Sequence, residues 1–231
     1  MATLKVLSAG AIRSGVTQVA EMFERSSGNT VTMDFTSAPK VQQRVMAGEA
    51  VDVVVASASA LDALAIEAKI APQSRQVLGR SRMAVVMRKG ATPPDLTNME
   101  DFRHAMAHAD VLVYNEGSSG AYAAAIVDKL DLREQLGGKI RVVPNGAAMM
   151  ELITSHGGRA YGFAQVTNIL DNVAKGVAVA LAGLFPDEIQ SSTTYEAAVS
   201  ESSAEPRLAA ALVRAFATEE GKGLLAAAGL D

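Results

Sequence analysis

The sequence predicts an α/β fold built from two lobes. Short apolar segments with strand character alternate with amphipathic segments of helical spacing, which is typical of βαβ units. The alternation changes at residues 79–89 and then starts a second time. The length of 231 residues leaves room for two small lobes, since an average domain has roughly 150 residues. We expect the chain to cross between the lobes near 80–90 and to return near 190–200.

Three strands are expected in the first part of the chain, at 4–7, 30–35 and 51–55. A helix follows each of them, and the order βαβαβα predicts a parallel sheet with right-handed crossovers. Ligands bind beyond the carboxyl ends of the strands in such sheets. The loops to consider are therefore 8–11, 36–39 and 56–59.

The helices of this first part have recognisable starts and ends. From Ile12 onward, apolar residues recur at i+4, i+7, i+8 and i+11, and Gly28 ends the pattern. Pro39 after a hydroxyl residue indicates the start of the second helix. Ser57 or Ser59 is expected to cap the third.

The second part repeats the alternation after a strand at 83–87 and an extended connector at 90–94. Helices are expected at 99–107, 122–130, 146–155, 204–217 and 219–228, and a short helix is expected to begin at Gln165. Strands are expected at 111–114, 140–143, 160–163 and 177–181, with extended chain at 189–200.

Composition excludes several classes of function. The chain has 21 basic and 25 acidic residues and no basic run, so we expect no nucleic-acid partner. It has no cysteine, which excludes disulfides, thiolate metal sites and a cysteine nucleophile. No apolar run approaches the roughly 18 residues of a membrane span, so no membrane insertion is expected. The start, Met1 to Lys5, is not a signal peptide; we expect a cytoplasmic protein, or a periplasmic one whose signal peptide was removed.

Three predicted helix starts share one sequence feature. Small or hydroxyl residues follow a strand at Ser8-Ala9-Gly10-Ala11, Thr36-Ser37-Ala38-Pro39 and Gly117-Ser118-Ser119-Gly120. A helix N-terminus exposes unpaired N–H groups and a partial positive charge, and small residues let an anion approach them. The alternative is that these residues only cap their helices. Their repetition after strands of α/β units favours a site for a small anion.

Some polar and charged residues lie near these helix starts. Arg13 is positioned to bind a carboxylate through two parallel hydrogen bonds, and Gln165 to donate its amide. Lys40 follows the second loop, and Arg80 and Arg82 flank Ser81 at the crossing. Each of these side chains has the alternative of being solvated or of starting a helix. The candidate ligand-binding residues are Ser8, Ala9, Gly10, Ala11, Arg13, Ser37, Ala38, Ser57, Ser81, Gly117, Ser118, Ser119, Gly120 and Gln165.

Evidence for catalysis or a cofactor is weak. His104 and His108 are four residues apart on a helix, but no zinc motif frames them, and a solvated helix face is the expected reading. His156 lies in a polar turn. Neither a GxxxxGK[ST] phosphate loop nor a GxSxG nucleophile motif occurs. We therefore expect no metal and no cofactor, and no catalytic residue is assigned.

Four segments together resemble a known family. They are Lys5–Ala11 (KVLSAGA), Met46–Val54 (MAGEAVDVV), Gly162–Gln165 (GFAQ) and Thr218–Gly223 (TEEGKG), and they look like the molybdate-binding-protein-like solute-binding proteins. The resemblance covers essentially the whole chain in the right order. It implies the type II periplasmic binding protein fold, with an anion in a cleft between two lobes. It also implies that 197–231 return to lobe 1 (1–82) and that 83–196 form lobe 2.

The departures from that family bear on the ligand. Molybdate binders place a serine at the positions that match Ala11 and Ala38, and often a tyrosine at Gln165. A buried oxyanion that loses donors is poorly compensated. An organic carboxylate bound by Arg13 and the helix starts is therefore favoured over molybdate, tungstate or another tetrahedral oxyanion.

Two functions from different classes follow. The first is a solute receptor, most simply a monomer, that closes on a small anion and presents it to an ABC transporter permease, with a hinge near 80–90 and 190–200. The second is an isomerase of an unsaturated organic acid, since some relatives resemble aconitate isomerase. That enzyme needs a base within reach of a substrate proton, for which Glu116 and Lys40 are the candidates. A cytosolic effector-binding domain is a third, weaker possibility.

Overall fold

The computed structural model describes residues 1–116 and 118–231, and it confirms the predicted α/β class. The chain divides into two compact units. Unit 1 comprises Met1–Ser81 with Thr193–Asp231, and unit 2 comprises Arg82–Ser192. In the described part of the chain no helix is long and apolar enough to cross a membrane.

Unit 1 contains a sheet with helices on both faces. Its strands are β1 (Thr3–Ala9), β2 (Thr30–Thr36), β3 (Val53–Ser57), the first part of β4 (Gln76–Arg88) and most of β9 (Ser192–Val199). Its helices are α1 (Arg13–Ser27), α2 (Ala38–Met46), α3 (Ala58–Ile66), α9 (Pro206–Ala215) and α10 (Glu219–Ala227). The order β2-β1-β3-β9 has β1 parallel to β2 and β3, and β3 antiparallel to β9.

Alternation along β3 explains why unit 1 has two cores. Val53 and Val55 belong to the core formed with α1, α9 and α10, whereas Val54 belongs to the core formed with α2 and α3. Successive side chains of a strand point to opposite faces, so a β-branched run such as Val53–Val55 fits a strand buried on both sides. Of the apolar positions predicted in α1, Val16, Val19 and Phe23 lie in the first core, and Ala20 is also buried.

Unit 2 is built on a sheet of order β8-β4-β7-β5-β6. Its strands are the second part of β4, β5 (Val111–Asn115), β6 (Ile140–Val143), β7 (Ala160–Gln165) and β8 (Val179–Leu184). Its helices are α4 (Met99–Ala107), α5 (Ser118–Lys129), α6 (Leu132–Leu136), α7 (Gly146–Ser155) and α8 (Val166–Ala174). Strand β5 is parallel to β6 and β7, while β4 is antiparallel to β7 and β8.

Two elements differ from the sequence prediction. Strand β4 has 13 residues rather than the five of 83–87. Its early part carries Gly79 and Arg80, which hide the strand pattern, and there Arg80 exchanges two backbone hydrogen bonds with Asp231 at 2.8 and 3.0 Å. The five-residue α6 was not predicted because its only signal is Leu132 and Leu136, both buried. Strand β4 depends on a partner that is distant in sequence, and α6 is encoded by a pattern of only two residues.

One buried carboxylate ties together three segments of unit 1. Asp52 is 6% exposed, and its side chain accepts hydrogen bonds from Lys5 N at 2.8 Å, Ser203 Oγ at 2.6 Å and Ala204 N at 3.2 Å. These bonds connect the first strand, the start of β3 and the segment that precedes α9. The Asp52 side chain is therefore a structural junction.

We expect Asp52→Ala to destabilise the protein by about 3 kcal/mol, because three donors lose a charged acceptor. Urea unfolding followed by circular dichroism measures this change. The matched control is Asp128→Ala, which removes a carboxylate from an exposed ion pair with Arg133 and should cost no more than about 0.5 kcal/mol. Equal effects of the two substitutions would contradict the junction role.

Candidate functional site

The carboxyl ends of the parallel strands in unit 1 form one edge, called edge 1. The register pairs Ala9 with Thr36 and Ser8 with Val55, so β1, β2 and β3 end side by side. A 3-10 turn leading into α1, and then α2 and α3, each begin directly beyond these ends. The sequence folds this way locally because Ala9, Ser37 and Ser57, in extended conformation, each precede a helical turn.

Unit 2 contains a corresponding edge, called edge 2, at the ends of β5, β6 and β7. Asn115 pairs with Val143, and Val113 with Gly162, both in parallel register. Helices α5, α7 and α8 begin just beyond these ends, at Ser118, Gly146 and Val166. The two edges are therefore constructed in the same way within their own units.

Side-chain caps divide the helix starts into two groups. Ser57 Oγ accepts from Ala60 N at 3.4 Å, and Asn145 Oδ1 accepts from Ala148 N at 3.0 Å, so α3 and α7 are capped. The turn leading into α1 and the helices α2 and α8 have no side-chain cap within the described part of the chain. The corresponding residues are Ala9, Ser37 and Gln165. First-turn N–H groups thus remain for a ligand at both edges.

The first turns of the helices at edges 1 and 2 are also distinctive in their lack of acidic residues. Helices α1, α2, α3, α5, α7 and α8, in their described residues, carry no aspartate or glutamate in the first turn. By contrast α4 and α10 each have two acidic residues there. Acidic side chains normally stabilise helix N-termini, so their absence leaves the positive ends of the dipoles uncompensated at edges 1 and 2.

Arg13 adds a full positive charge at edge 1. It is the first residue of α1, and its guanidinium carbon lies 3.9 Å from the centre of the Phe35 ring. The stacking holds the planar group in one orientation. Among the described residues no carboxylate forms an ion pair with Arg13. A cation at a helix N-terminus is electrostatically unfavourable, so the arrangement favours an anion nearby.

The remaining predicted residues of edge 1 have different surroundings. Ser8 is fully buried and donates to Ala9 O at 3.2 Å, so its hydroxyl is used internally. Ser57 caps α3, as the alternative reading of that residue expected. Ser37 and Lys40 are exposed, and Ala9, Gly10, Ala11 and Ala38 contribute backbone at the helix starts. Ser81, which was predicted at the crossing, lies outside edge 1; it is fully buried within β4 and has a polar partner.

At edge 2, the predicted residues lie at the starts of α5 and α8. Ser119 is partly buried and Gly120 is buried in the first turn of α5. Gln165 is 7% exposed, has a polar partner and immediately precedes α8. Ser118 starts α5. The predicted residue Gly117 lies outside the described residues.

Gly120 is required by packing. A Cβ atom at this position would lie 1.5 Å from the carbonyl oxygen of Asn115, which ends β5. Only a residue without a side chain allows α5 to begin this close to the strand. Gly120 was predicted as a ligand-binding residue, and the GSSG pattern alone does not reveal its packing role.

Ionisable groups near the edges have identifiable partners. The Arg44 guanidinium donates a hydrogen bond to Asp34, which lowers the pKa of that carboxyl below its usual range. Burial raises the pKa of the Tyr122 phenol in α5, and the hydroxyl donates to Ile189 O at 2.8 Å. Tyr122 is therefore neutral and committed to a structural bond. Glu116 and Lys40, the two candidate bases, are exposed.

Sequence reasoning missed two residues of this arrangement. Phe35 was not singled out, although an aromatic residue at the end of the strand next to Arg13 was a usable signal. Asn145 caps α7 at edge 2, and its position before Gly146 is a recognisable start signal. Which side chain stacks on Arg13 depends on the β1–β2 register, which the sequence alone does not supply.

Comparison with known proteins places the chain in a family. Residues 4–231 match the family described as bacterial extracellular solute-binding protein. The chain belongs to this family. A curated relative, named aconitate isomerase from a Pseudomonas species, is 30% identical over 99% of this chain and 87% of its own length.

Solved structures support the fold. A substrate-binding domain described for a molybdenum ABC transporter of Clostridium difficile has a TM-score of 0.78 at 16% identity, covering 99% of this chain and 98% of that one. The periplasmic molybdate-binding protein of Azotobacter vinelandii has a TM-score of 0.77 at 17% identity, with the same coverage. At these identities the likeness concerns the fold alone, and it confirms the expected type II periplasmic binding protein fold.

We expect Gly120→Ala to destabilise unit 2 by about 3 kcal/mol, because the added methyl group overlaps the Asn115 carbonyl. The control is Gly146→Ala at the start of α7, where a Cβ atom would meet nothing within 4 Å. That change should alter stability by less than about 1 kcal/mol. Differential scanning fluorimetry of both variants measures the difference. A melting temperature of the Gly120→Ala variant equal to that of the control would contradict the close packing.

Proposed function

We propose that this protein is a solute-binding protein that binds a small organic carboxylate and presents it to an ABC transporter permease at the periplasmic side of the membrane. Membership of the extracellular solute-binding family supports the class. The observation that carries the ligand class is the guanidinium of Arg13, stacked on Phe35 at helix starts that have no acidic residue. We further propose that units 1 and 2 are the two expected lobes.

Arg13 is assigned the main recognition of the carboxylate. A guanidinium presents two parallel N–H donors that match the two oxygens of a carboxylate. Because Phe35 already restricts its orientation, little conformational freedom is lost when the ligand binds. The N–H groups at the starts of α1 and α2 supply further donors. Pro39 has no N–H, so the donors of the first turn of α2 are the amides of Ala38 and Lys40.

The donor set favours a carboxylate over a tetrahedral oxyanion. Ala11 and Ala38 end in methyl groups, so edge 1 supplies fewer hydroxyl donors than an oxyanion with four oxygens requires. Ser37 retains a hydroxyl that makes no hydrogen bond within the described residues.

An isomerase of an unsaturated organic acid is the second candidate, and the 30% identical relative named aconitate isomerase favours it. Such an enzyme would bind the same class of anion, so the two functions share the recognition residues. They differ in the need for a base near a substrate carbon. Glu116, at the end of β5, and Lys40, in the first turn of α2, are the groups assigned to that role.

Ligand binding predicts a rise in melting temperature. We expect a dicarboxylate or tricarboxylate to stabilise the protein, by about 2.7 kcal/mol at 100 times its dissociation constant. A thermal shift panel should include molybdate, tungstate, sulfate, citrate, cis-aconitate and trans-aconitate. Stabilisation by molybdate or tungstate alone, with no effect of any carboxylate, would overturn the proposed ligand class.

Removal of the guanidinium should weaken binding without unfolding the protein. We expect Arg13→Ala to lower the affinity for the stabilising carboxylate by about 30-fold, corresponding to roughly 2 kcal/mol. Isothermal titration calorimetry measures the affinity. The control is Arg25→Ala, which removes an exposed guanidinium from the last turn of the same helix and should leave affinity unchanged. Wild-type affinity in the Arg13→Ala variant would remove Arg13 from the site.

Turnover distinguishes the receptor from the enzyme. For a receptor, NMR of cis-aconitate incubated with the protein should show no conversion. For an isomerase, signals of the isomer should appear at a rate proportional to protein concentration, and Glu116→Gln or Lys40→Met should abolish it with binding retained. Conversion that survives both substitutions would exclude Glu116 and Lys40 as the base.

A further inference from the structure

The C-terminal end of α4 presents two imidazole side chains on one face of the helix. His104 and His108 are both exposed, and their ring centres are 4.2 Å apart with the planes tilted by 38°. They line a surface pocket of 580 Å³ together with Glu100, Arg103 and Gln135. This pocket belongs wholly to unit 2 and plays no part in the anion recognition described above.

We propose that His104 and His108 form a binding site for a divalent transition metal ion, with Cu²⁺ preferred. Two histidines at i and i+4 share one helix face and can bind the same ion. Among the described residues no group of three or more histidine, aspartate or glutamate side chains is assembled for a metal. The protein therefore supplies two ligands, and water molecules complete the coordination.

The distance between the rings fits joint coordination. An imidazole nitrogen binds such metals at about 2.0–2.1 Å, which puts each ring centre about 3.2 Å from the ion. Two imidazoles at 90–110° around one ion then have ring centres about 4.5–5.2 Å apart. The observed 4.2 Å is slightly shorter, and exposed side chains on a helix surface reach the larger value by small rotations.

A hydrogen bond prepares His108 for coordination. Its Nδ1 lies 2.8 Å from the carbonyl oxygen of His104. A carbonyl oxygen only accepts, so Nδ1 carries the hydrogen, and the lone pair of the neutral ring is on Nε2. Metal-ligating histidines characteristically donate their second ring nitrogen in this way, which fixes the tautomer and orients the ring.

The local charge favours a cation at this place. His108 follows the last residue of α4, where the helix dipole is negative. Glu100 lies one turn before His104 on the pocket wall. Arg103, a cation on the same pocket wall, donates a hydrogen bond from its Nε to the carbonyl oxygen of Leu130 at 3.1 Å. Copper is preferred because affinity for nitrogen ligands rises along the divalent series to Cu²⁺.

Titration with Cu²⁺ tests the proposal on the intact chain, which has only three histidines and no cysteine. The wild-type protein should bind one Cu²⁺ ion with two nitrogen ligands visible by electron paramagnetic resonance at pH 7.5. His104→Ala and His108→Ala should each weaken binding at least tenfold, because the second imidazole acts at high effective concentration. His156→Ala, the matched control, removes a half-buried histidine elsewhere in unit 2 and should bind as the wild type does.

The copper affinity of the double variant His104→Ala/His108→Ala gives the background binding by the terminal amine and other groups. Binding by either single variant that equals the wild type would overturn the two-imidazole site. An equal loss in His156→Ala would overturn it too, as would a double variant that retains the wild-type affinity. Circular dichroism of each variant verifies that the fold is unchanged.

Discussion

Parallel pairing of strands determines where helix N-termini collect in this protein. In unit 1, β1 is parallel to β2 and β3, and in unit 2, β5 is parallel to β6 and β7. A helix that follows a parallel strand must begin at that strand's carboxyl end. Strands in parallel register therefore bring several helix starts, with their unpaired N–H groups, to one edge of the sheet. The candidate site depends on this constraint more than on any single side chain.

The charges at the two edges strengthen this effect. Most helices gain stability from acidic residues in the first turn, as α4 and α10 do. The helices that start at edges 1 and 2 forgo that stabilisation, and α1 carries a cation in its place. The positive charge at these helix starts is unfavourable in the protein without a ligand, and it becomes favourable when an anion binds. This exchange of stability for recognition is characteristic of functional sites.

The segments that carry the family resemblance contain structural residues as well as site residues. Asp52 joins three segments of unit 1. A Cβ atom at Gly162 would lie 2.6 Å from the Cδ1 atom of Ile153 and 2.8 Å from a methyl carbon of Val86, so these core side chains would have to shift. Gly221 is required because a Cβ atom there would lie 2.2 Å from the carbonyl oxygen of Ala215. The resemblance therefore identifies the fold, whereas the proposed ligand class rests on Arg13 and on positions where this chain differs from the molybdate binders, such as Ala11 and Ala38.

The sequence by itself determined the α/β class, most of the strands and helices, and the loops at which helices begin, because local periodicity and start signals encode them. The place of Arg13 after Gly10 led to the proposal that this residue recognises the ligand. Only the tertiary structure decided that β4 is a long strand paired with the C-terminus, that Phe35 orients Arg13, and that Gly120 and Asp52 have packing and junction roles. These features arise from contacts between residues far apart in the chain, and a local pattern contains no information about which distant partner a residue meets.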